Sequence, residues 1–229
     1  GDEMKRIVHR VMRGIRRIVR RDAHRQAAPD SSAVMYNALE HVDRVNEDIN
    51  HWLECRESDK RFIDAIYPDI LDLCGIDGNT VVADIGCGTG VLVSKLKTDF
   101  PDLHIVGYDF SGSKIRRCQG FYQIDPSCFS QGSIYDLDES RYDVIIATEV
   151  LEHLEYPMLA VRNLLSRLHP SGRLFLTVPD GRTDTYHGHI HFWSAESWAL
   201  FVKEAVGPSG DIRTGMLKGK NFALVAVKG

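Results

Sequence analysis

The sequence predicts an α/β fold in which helices cover both faces of a doubly wound, mostly parallel β-sheet. Three observations support this prediction. After residue 75, short β-rich runs alternate with helical stretches, as in parallel strands joined by crossover helices. The last two β-rich runs are separated by a Lys-Gly-Lys turn too short for a parallel crossover, so the last strand is antiparallel. Helical patterns precede the first strand, so N-terminal helices lead into the sheet.

The first predicted element is a basic amphipathic helix over residues 4–21, in which apolar residues recur at three- and four-residue steps beside a stripe of Arg. The first 25 residues carry nine Lys or Arg against three Asp or Glu, whereas the whole chain has a net charge of −4. The rest of the chain is therefore acidic. Membrane-surface or protein contact is the preferred role of this helix, an organelle leader stays an alternative, and nucleic acid is disfavoured because the body is acidic.

The chain divides into three predicted segments: residues 1–25 form the basic helix, 26–60 a linker and a helical lid, and 61–229 the α/β domain. A second helical pattern begins at Met35 and runs to about Leu53, and a third covers residues 60–74. Tyr36, His41 and Trp52 are lid residues that could touch a substrate, although simple packing on the sheet is the preferred interpretation for each.

The predicted strands that follow cover residues 80–85, 103–109, 126–130, 142–148, 172–178, 211–217 and 221–228. Each is a short β-rich run, and the third is the weakest. Predicted helices fill the intervals at residues 91–100, 112–120, 156–168 and 195–206. The sheet is therefore expected to have seven strands.

Composition excludes several classes of protein. The 229 residues are 43% hydrophobic and 26% charged, which fits one globular domain with or without an appendage. No run approaches the roughly 18 consecutive apolar residues of a membrane-spanning helix. The five cysteines are odd in number and never spaced as CxxC, which argues against a disulfide framework or a zinc ribbon. A reducing, cytoplasmic location is predicted, with a membrane-peripheral position as the alternative.

A glycine-rich turn after the first strand is the most informative motif. The run Asp84-Ile-Gly-Cys-Gly-Thr-Gly joins a buried strand to a helix, and the next strand ends in Asp109. Glycines let the backbone approach a ligand closely, and a carboxylate at that strand end can hold two ribose hydroxyls. A dinucleotide fingerprint would require glycine at position 91, which is Val. The motif therefore predicts a nucleoside site without room for pyrophosphate.

This GxGxG turn, preceded by Asp84, resembles the first motif of the class I S-adenosylmethionine-dependent methyltransferases. Residues 142–154 resemble the fourth-strand motif of that family and residues 169–179 its fifth, so the likeness covers about residues 63–228. The resemblance implies a Rossmann-like sheet, S-adenosylmethionine as cofactor and methyltransferase activity. It also implies cofactor contacts from these positions: Asp84, Gly86, Cys87, Gly88, Gly90, Asp109, Phe110, Ser133, Ile134, Thr148 and Glu149.

Within that implied site, Asp84 reaches the amino-acid end of the cofactor and Asp109 the ribose hydroxyls. Phe110 and the pair Ser133 and Ile134 flank the adenine. Many family members have an acidic residue where Ser133 stands, and Ser accepts a hydrogen bond more weakly. Thr148 and Glu149 border the sulfonium and the acceptor.

Two histidines are the candidate catalytic bases, since a hydroxyl acceptor gains from losing its proton during methyl transfer. His153 lies shortly after Glu149, and His189 belongs to the run Tyr186-His-Gly-His-Ile-His-Phe-Trp, where His191 is a further candidate. This run resembles methyltransferases of glycan and secondary-metabolite pathways. The preferred function is O-methylation of a small hydroxyl-bearing acceptor, a sugar or other metabolite.

Two alternatives remain open at this stage. The run Glu149-Val-Leu-Glu-His resembles the metal-ligating pattern of small-RNA 3′-terminal 2′-O-methyltransferases and ubiquinone-pathway O-methyltransferases, where His189 would complete the ligand set. A site without metal is preferred, with Glu152 as a helix N-terminal charge and His153 packed against the turn. The second alternative is a catalytically silent module that acts through its N-terminal segment.

Overall fold

The computed structural model describes residues 39–228. Its helices are α1 (Leu39–Asn46), α2 (Ile49–Cys74), α3 (Val91–Asp99), α4 (Gly112–Phe121), α5 (Pro157–Ser166) and α6 (Ala195–Val206). Its strands are β1 (Val81–Ile85), β2 (His104–Asp109), β3 (Phe129–Gln131), β4 (Tyr142–Thr148), β5 (Leu168–Pro179), β6 (Gly210–Leu217) and β7 (Lys220–Val227). The predicted basic helix at residues 4–21, the linker that follows it and Tyr36 lie outside the described residues.

The seven strands form one sheet in the order β3-β2-β1-β4-β5-β7-β6. The first five strands of that order pair in parallel, whereas β7 pairs antiparallel with both β5 and β6. The turn between β6 and β7 is Lys218-Gly219, and both residues have positive φ, as the tight turn of a two-residue hairpin requires. The predicted fold class is confirmed.

The sheet separates two apolar cores, which is the sense in which the fold is doubly wound. One core joins the sheet to α2, α3 and α4 through side chains such as Ile66 and Leu96. The other joins it to α5 and α6 through Leu164 and Trp198. Because the central strands are buried on both faces, β4 is apolar along most of its length instead of alternating. This packing fixes the carboxyl ends of β1, β2 and β4 side by side, where the glycine turn lies.

The N-terminal helices differ from the prediction. The predicted helix from Met35 to Leu53 is interrupted, because Asp48 adopts an extended backbone and accepts a hydrogen bond from the Asn50 amide, which starts α2 afresh. Helix α2 then continues through residues 60 and 61, where the lid and the α/β domain were expected to meet. Trp52 and Ile63, on either side of that point, belong to the same core. Helix α2 is therefore part of the main domain.

None of the helices in residues 39–228 combines the length and the apolarity needed to cross a membrane.

Candidate active site

The glycine turn after β1 has the backbone conformation that the sequence motif predicts. Gly86 and Gly90 have φ values of 75° and 77°, a region that other residues rarely adopt. A Cβ on Gly86 would lie 2.4 Å from a methyl group of Val150, so the turn also packs directly against the segment that follows β4. The amides of Gly86 and Cys87 both donate to the Tyr108 carbonyl of β2, at 2.7 and 2.9 Å. Only glycine fits at position 86 without displacing its neighbours.

Asp109 lies at the carboxyl end of β2 and reaches across the glycine turn. Its carboxylate accepts hydrogen bonds from the amides of Gly88 at 3.0 Å and Ser111 at 2.9 Å. The Lys114 ammonium lies 3.8 Å from the same carboxylate. Two backbone donors and one nearby cation therefore hold Asp109 in a single orientation, with 4% of the residue exposed.

A cavity of about 500 Å³ opens between the glycine turn, the strand ends and helices α1 and α2, and this volume falls in the range of small-molecule sites. Seven of the predicted site residues line it: Gly86, Asp109, Phe110, Ser133, Ile134, Glu149 and His153. Phe110 exposes 39% of its surface here. The Ser133 hydroxyl accepts from the Tyr135 amide at 3.2 Å, which leaves its own proton available to a ligand. The cleft suits a nucleoside held between an aromatic ring and a carboxylate.

The other predicted site residues do not line this cavity. They are Asp84, Cys87, Gly88, Gly90, Thr148 and His189. Cys87 packs in the core against the Cα position of Gly107, and Gly88 acts through its amide on Asp109. The cofactor contacts predicted for these residues stay predictions. Of the lid candidates, His41 lines the cavity, whereas Trp52 is buried with its ring centroid 5.0 Å from that of Phe121.

Asp84 lies beneath the glycine turn with 2% of the residue exposed. Burial raises the pKa of its carboxyl to about 7, and the nearby carboxylates of Asp109 and Asp59 raise it further in the same direction. The ordinary pKa of an Asp in an unfolded chain is about 3.9, so the folded protein must either protonate Asp84 or bear its charge.

We expect Asp84→Asn to stabilise the cofactor-free protein, and to do so more strongly at high pH. A carboxyl whose pKa is raised by folding costs stability increasingly as pH rises from about 4 to about 7, because the unfolded chain ionises first. The gain in unfolding free energy should be about 3 kcal/mol larger at pH 8 than at pH 5, at about 1.36 kcal/mol for each of the roughly two pH units between pH 5 and the folded pKa. Urea unfolding at both pH values measures it, with the exposed Asp102→Asn as control. A gain in unfolding free energy that is the same at both pH values would contradict the raised pKa of Asp84.

Glu149 follows β4 with a positive φ of 56°, an uncommon conformation for a side chain of its size. Its carboxylate accepts from the Thr177 hydroxyl at 3.1 Å and from the Lys220 ammonium at the start of β7. Burial raises the pKa of Glu149, while Lys220 and Thr177 act in the opposite direction. Both carboxylate oxygens are therefore engaged by the protein itself.

His153 lines the cavity and is oriented by the loop that follows β5. Its Nδ1 lies 3.2 Å from the Gly188 carbonyl, so Nδ1 carries the proton and Nε2 keeps its lone pair. Burial lowers the pKa of His153 to about 4, and the neighbouring His189 lowers it further in the same direction. The imidazole is therefore neutral at physiological pH, with Nε2 as its accepting atom.

His189 and His191 have different surroundings. The Nδ1 of His189 lies 2.5 Å from an Asp184 carboxylate oxygen, which fixes the ring and leaves Nε2 without that proton. His191 contacts the Leu154 carbonyl through Nε2 at 2.8 Å and stacks on Trp193. Of the histidines in this run, His191 is thus held by the loop, whereas His189 faces His153 with 4.6 Å between ring centroids.

Glu152 completes a cluster with these two histidines. It is fully buried, and neither carboxylate oxygen has a hydrogen-bond partner within residues 39–228. One ligand atom each from Glu152, His153 and His189 lie within 4.8 Å of one another. Burial raises the pKa of Glu152 well above its usual range, and the Glu149 carboxylate adds to this. A carboxylate and two imidazole nitrogens with their Nδ1 atoms already engaged form a donor set that a divalent cation could occupy.

Sequence reasoning missed several residues of the site. Asp59 of α2 and Lys114 of α4 line the cavity, and Asp184 and Lys220 hold His189 and Glu149. The pairing of Asp184 with His189 could have been found in the sequence, because the two residues are only five positions apart. The other contacts join distant parts of the chain, where no motif spacing could indicate them.

The sheet order, the glycine turn and the carboxylate at the end of β2 define a class I S-adenosylmethionine-dependent methyltransferase. A family profile described as a methyltransferase domain matches residues 56–205. The chain belongs to this methyltransferase domain family, and its cofactor is S-adenosylmethionine.

Relatives and solved structures agree with this assignment. The chain is 31% identical to a mitochondrial ubiquinone biosynthesis O-methyltransferase of Candida albicans over 44% of this chain and 33% of that protein. It is 33% identical to a trans-aconitate 2-methyltransferase of Deinococcus radiodurans over 46% of this chain and 40% of that protein. The chain thus matches less than half of the length of either relative. The solved structure of PigF with SAH superposes with a TM-score of 0.63 at 16% identity, covering 85% of this chain and 67% of PigF.

Proposed function

We propose that the protein transfers the methyl group of S-adenosylmethionine to a hydroxyl oxygen of a small acceptor, a sugar or other metabolite, with His153 as general base. The observation that carries this proposal is the neutral His153 imidazole at the cavity wall, with Nε2 free to accept a proton. The cofactor supplies a methyl group already activated on a sulfonium, so alignment of the acceptor and removal of its proton are left to the protein.

In the proposed reaction, a particular residue is assigned to each step. The acceptor hydroxyl donates to Nε2 of His153, while the Nδ1–H keeps its bond to the Gly188 carbonyl and holds the ring in place. His189, fixed by Asp184, packs edge-on against the His153 ring with 4.6 Å between the ring centroids and so helps to position it. Tyr186 lines the cavity beside both rings and forms a wall of the acceptor pocket.

The relatives favour small acceptors. The Candida protein is named an O-methyltransferase, and the Deinococcus protein is named for the small molecule trans-aconitate. The fold alone does not decide the reaction, since the SpnF [4+2]-cyclase superposes with a TM-score of 0.56.

A panel of paired acceptors tests this proposal. Sugars and phenols are offered with S-adenosylmethionine beside the same compounds in which an amine replaces the hydroxyl, and formation of S-adenosylhomocysteine is measured. We expect turnover with a member of the hydroxyl set. Turnover of amines alone would contradict O-methylation, and cofactor binding without turnover of any acceptor would favour the silent binding module.

A metal-assisted form of the same reaction is the second candidate, favoured by the unpartnered Glu152 carboxylate beside His153 and His189. In this form the two Nε2 atoms and Glu152 would hold a divalent cation, which supplies Lewis acidity toward the acceptor oxygen. Asp184 and the Gly188 carbonyl would then serve to orient the ligating imidazoles.

Chelation separates the two candidates. With His153 as a base, we expect activity in excess EDTA to equal that of untreated protein within about twofold, because no step needs a cation. Loss of activity in EDTA that Mg²⁺ or Mn²⁺ restores would instead establish the metal-assisted form. Glu152→Gln is the matched variant, since it removes the charge that a cation requires and keeps the side-chain volume.

A further inference from the structure

The loop that follows β5 places two exposed aromatic rings beside His153 and His189. Tyr186 lines the cavity with 39% of its surface exposed, and its ring centroid lies 6.4 Å from that of His153 and 4.8 Å from that of His189. Phe192 exposes 50% of its surface, and its ring centroid lies 6.3 Å from that of His189. Large exposed rings grouped beside a cleft often mark a surface that a ligand covers. A compound held against Tyr186 is therefore held beside the proposed base.

The charges of the cavity disfavour an anionic acceptor. The carboxylates that line it are Asp59, Asp109, Glu149 and Glu155. The one Lys or Arg in this lining, among residues 39–228, is Lys114, which already lies 3.8 Å from Asp109. The nearby Lys220 already contacts Glu149. Since like charges in one cleft repel each other, the protein would oppose a carboxylate or phosphate on the acceptor.

The segment after β4 offers little hydrogen bonding to a compound with many hydroxyls. Both carboxylate oxygens of Glu149 are already engaged by the protein itself. Val150 and Leu154, which line the cavity together with His153, have apolar side chains. Each sugar hydroxyl buried there without a partner would weaken binding about 10-fold or more. This lining favours an acceptor with few hydroxyls on an apolar ring.

A hydroxyl on an aromatic ring also suits an imidazole base. A phenol has a pKa of about 10, as Tyr does, whereas an aliphatic hydroxyl resembles water, whose pKa is about 15.7. Imidazole therefore takes a proton from a phenol at a much lower free-energy cost than from an aliphatic alcohol.

We propose that the acceptor is an uncharged phenol whose ring stacks on Tyr186. The phenolic oxygen forms its bond to the methyl carbon while the bond from that carbon to the sulfonium sulfur breaks. The phenol proton passes to Nε2 of His153, and an aryl methyl ether and S-adenosylhomocysteine remain. The inference rests on the proposed O-methylation for the hydroxyl, whereas the ring and the absence of charge rest on the lining described above.

Three compounds that differ in one feature each provide the test. 4-Hydroxybenzamide is an uncharged phenol, trans-4-hydroxycyclohexanecarboxamide is its saturated counterpart, and 4-hydroxybenzoate carries a carboxylate in place of the amide. We expect kcat/KM for 4-hydroxybenzamide to exceed that for the saturated alcohol at least about 100-fold and that for the benzoate at least about 10-fold. Formation of S-adenosylhomocysteine measures kcat/KM. Calorimetric titration of the protein loaded with S-adenosylhomocysteine measures the binding of each compound without turnover.

Variants of Tyr186 test the stacking. We expect Tyr186→Leu to lower kcat/KM for 4-hydroxybenzamide about 3- to 10-fold, and Tyr186→Phe, which keeps the ring, to change it less than about twofold. Unchanged S-adenosylhomocysteine affinity shows that each variant is folded. Phe121→Leu changes an exposed ring that does not line the cavity and is the matched control. An equal loss in Tyr186→Leu and Tyr186→Phe would refute the stacking.

The compounds also separate this inference from O-methylation itself. If the saturated alcohol or the benzoate reacts as fast as 4-hydroxybenzamide, or if 4-hydroxybenzamide neither binds nor reacts, the inference is overturned while O-methylation of another hydroxyl compound stands. Selective binding of 4-hydroxybenzamide by a protein that methylates no hydroxyl would support an uncharged aromatic acceptor and refute its methylation on oxygen.

Discussion

Asp109→Ala is expected to weaken S-adenosylmethionine binding at least about 100-fold, because two charge-assisted hydrogen bonds to the ribose hydroxyls would be lost at about 1.5–3 kcal/mol each. The structure adds a second reason for a large effect. The Asp109 carboxylate also accepts from the amides of Gly88 and Ser111, so its removal takes away the side-chain bond that ties the glycine turn to the end of β2. Calorimetric titration with S-adenosylhomocysteine measures the loss.

Two companion variants make this result interpretable. Asp109→Asn keeps an oxygen for one of the two amides and should fall between wild type and Asp109→Ala. Asp102→Ala removes an exposed carboxyl just before β2 and should bind as wild type does. Thermal unfolding shows whether Asp109→Ala remains folded, since it leaves two amides without their acceptor. Unchanged affinity in folded Asp109→Ala would mean that the ribose lies elsewhere.

His153→Ala is expected to lower kcat by about 10²- to 10⁴-fold, the usual contribution of a positioned general base. Affinity for the cofactor should change only a few-fold, because His153 lies beside Tyr186 and is not among the residues predicted to contact the cofactor. Steady-state turnover with the best acceptor of the hydroxyl panel measures kcat, and S-adenosylhomocysteine titration measures binding. The exposed His104→Ala at the opposite end of β2 is the matched control.

Chemical rescue tests whether His153 acts as a general base or as a metal ligand. Added imidazole should restore part of the activity of His153→Ala in the presence of EDTA if the side chain only accepts a proton. A kcat that stays within about threefold of wild type would exclude His153 from both roles.

The sheet could be predicted because each strand is recognisable from its own short stretch of sequence. Much of the site could not be predicted, because its contacts join distant parts of the chain. The predicted bounds of β4 and α6 match the structure, since a continuous apolar run and a Ser194 cap mark them in the sequence. The start of α2 was missed because Asp48 lies inside an apolar pattern that continues past it. No sequence pattern marks Lys114, in the first turn of α4, as a residue of the cavity, because the α2 residue Asp59 that lines the same cavity is far from it in the chain.

The short connection between β6 and β7 has a consequence for how this sheet edge can evolve. Lys220 is the first residue of β7, and its ammonium contacts Glu149 directly after the two-residue turn Lys218-Gly219. The face on which Lys220 lies is set by the register of β7 against β5 and β6. A one-residue slip of that register would turn Lys220 to the opposite face and leave the Glu149 carboxylate without its cation, so the chemistry of the cleft depends on how this last hairpin pairs with the sheet.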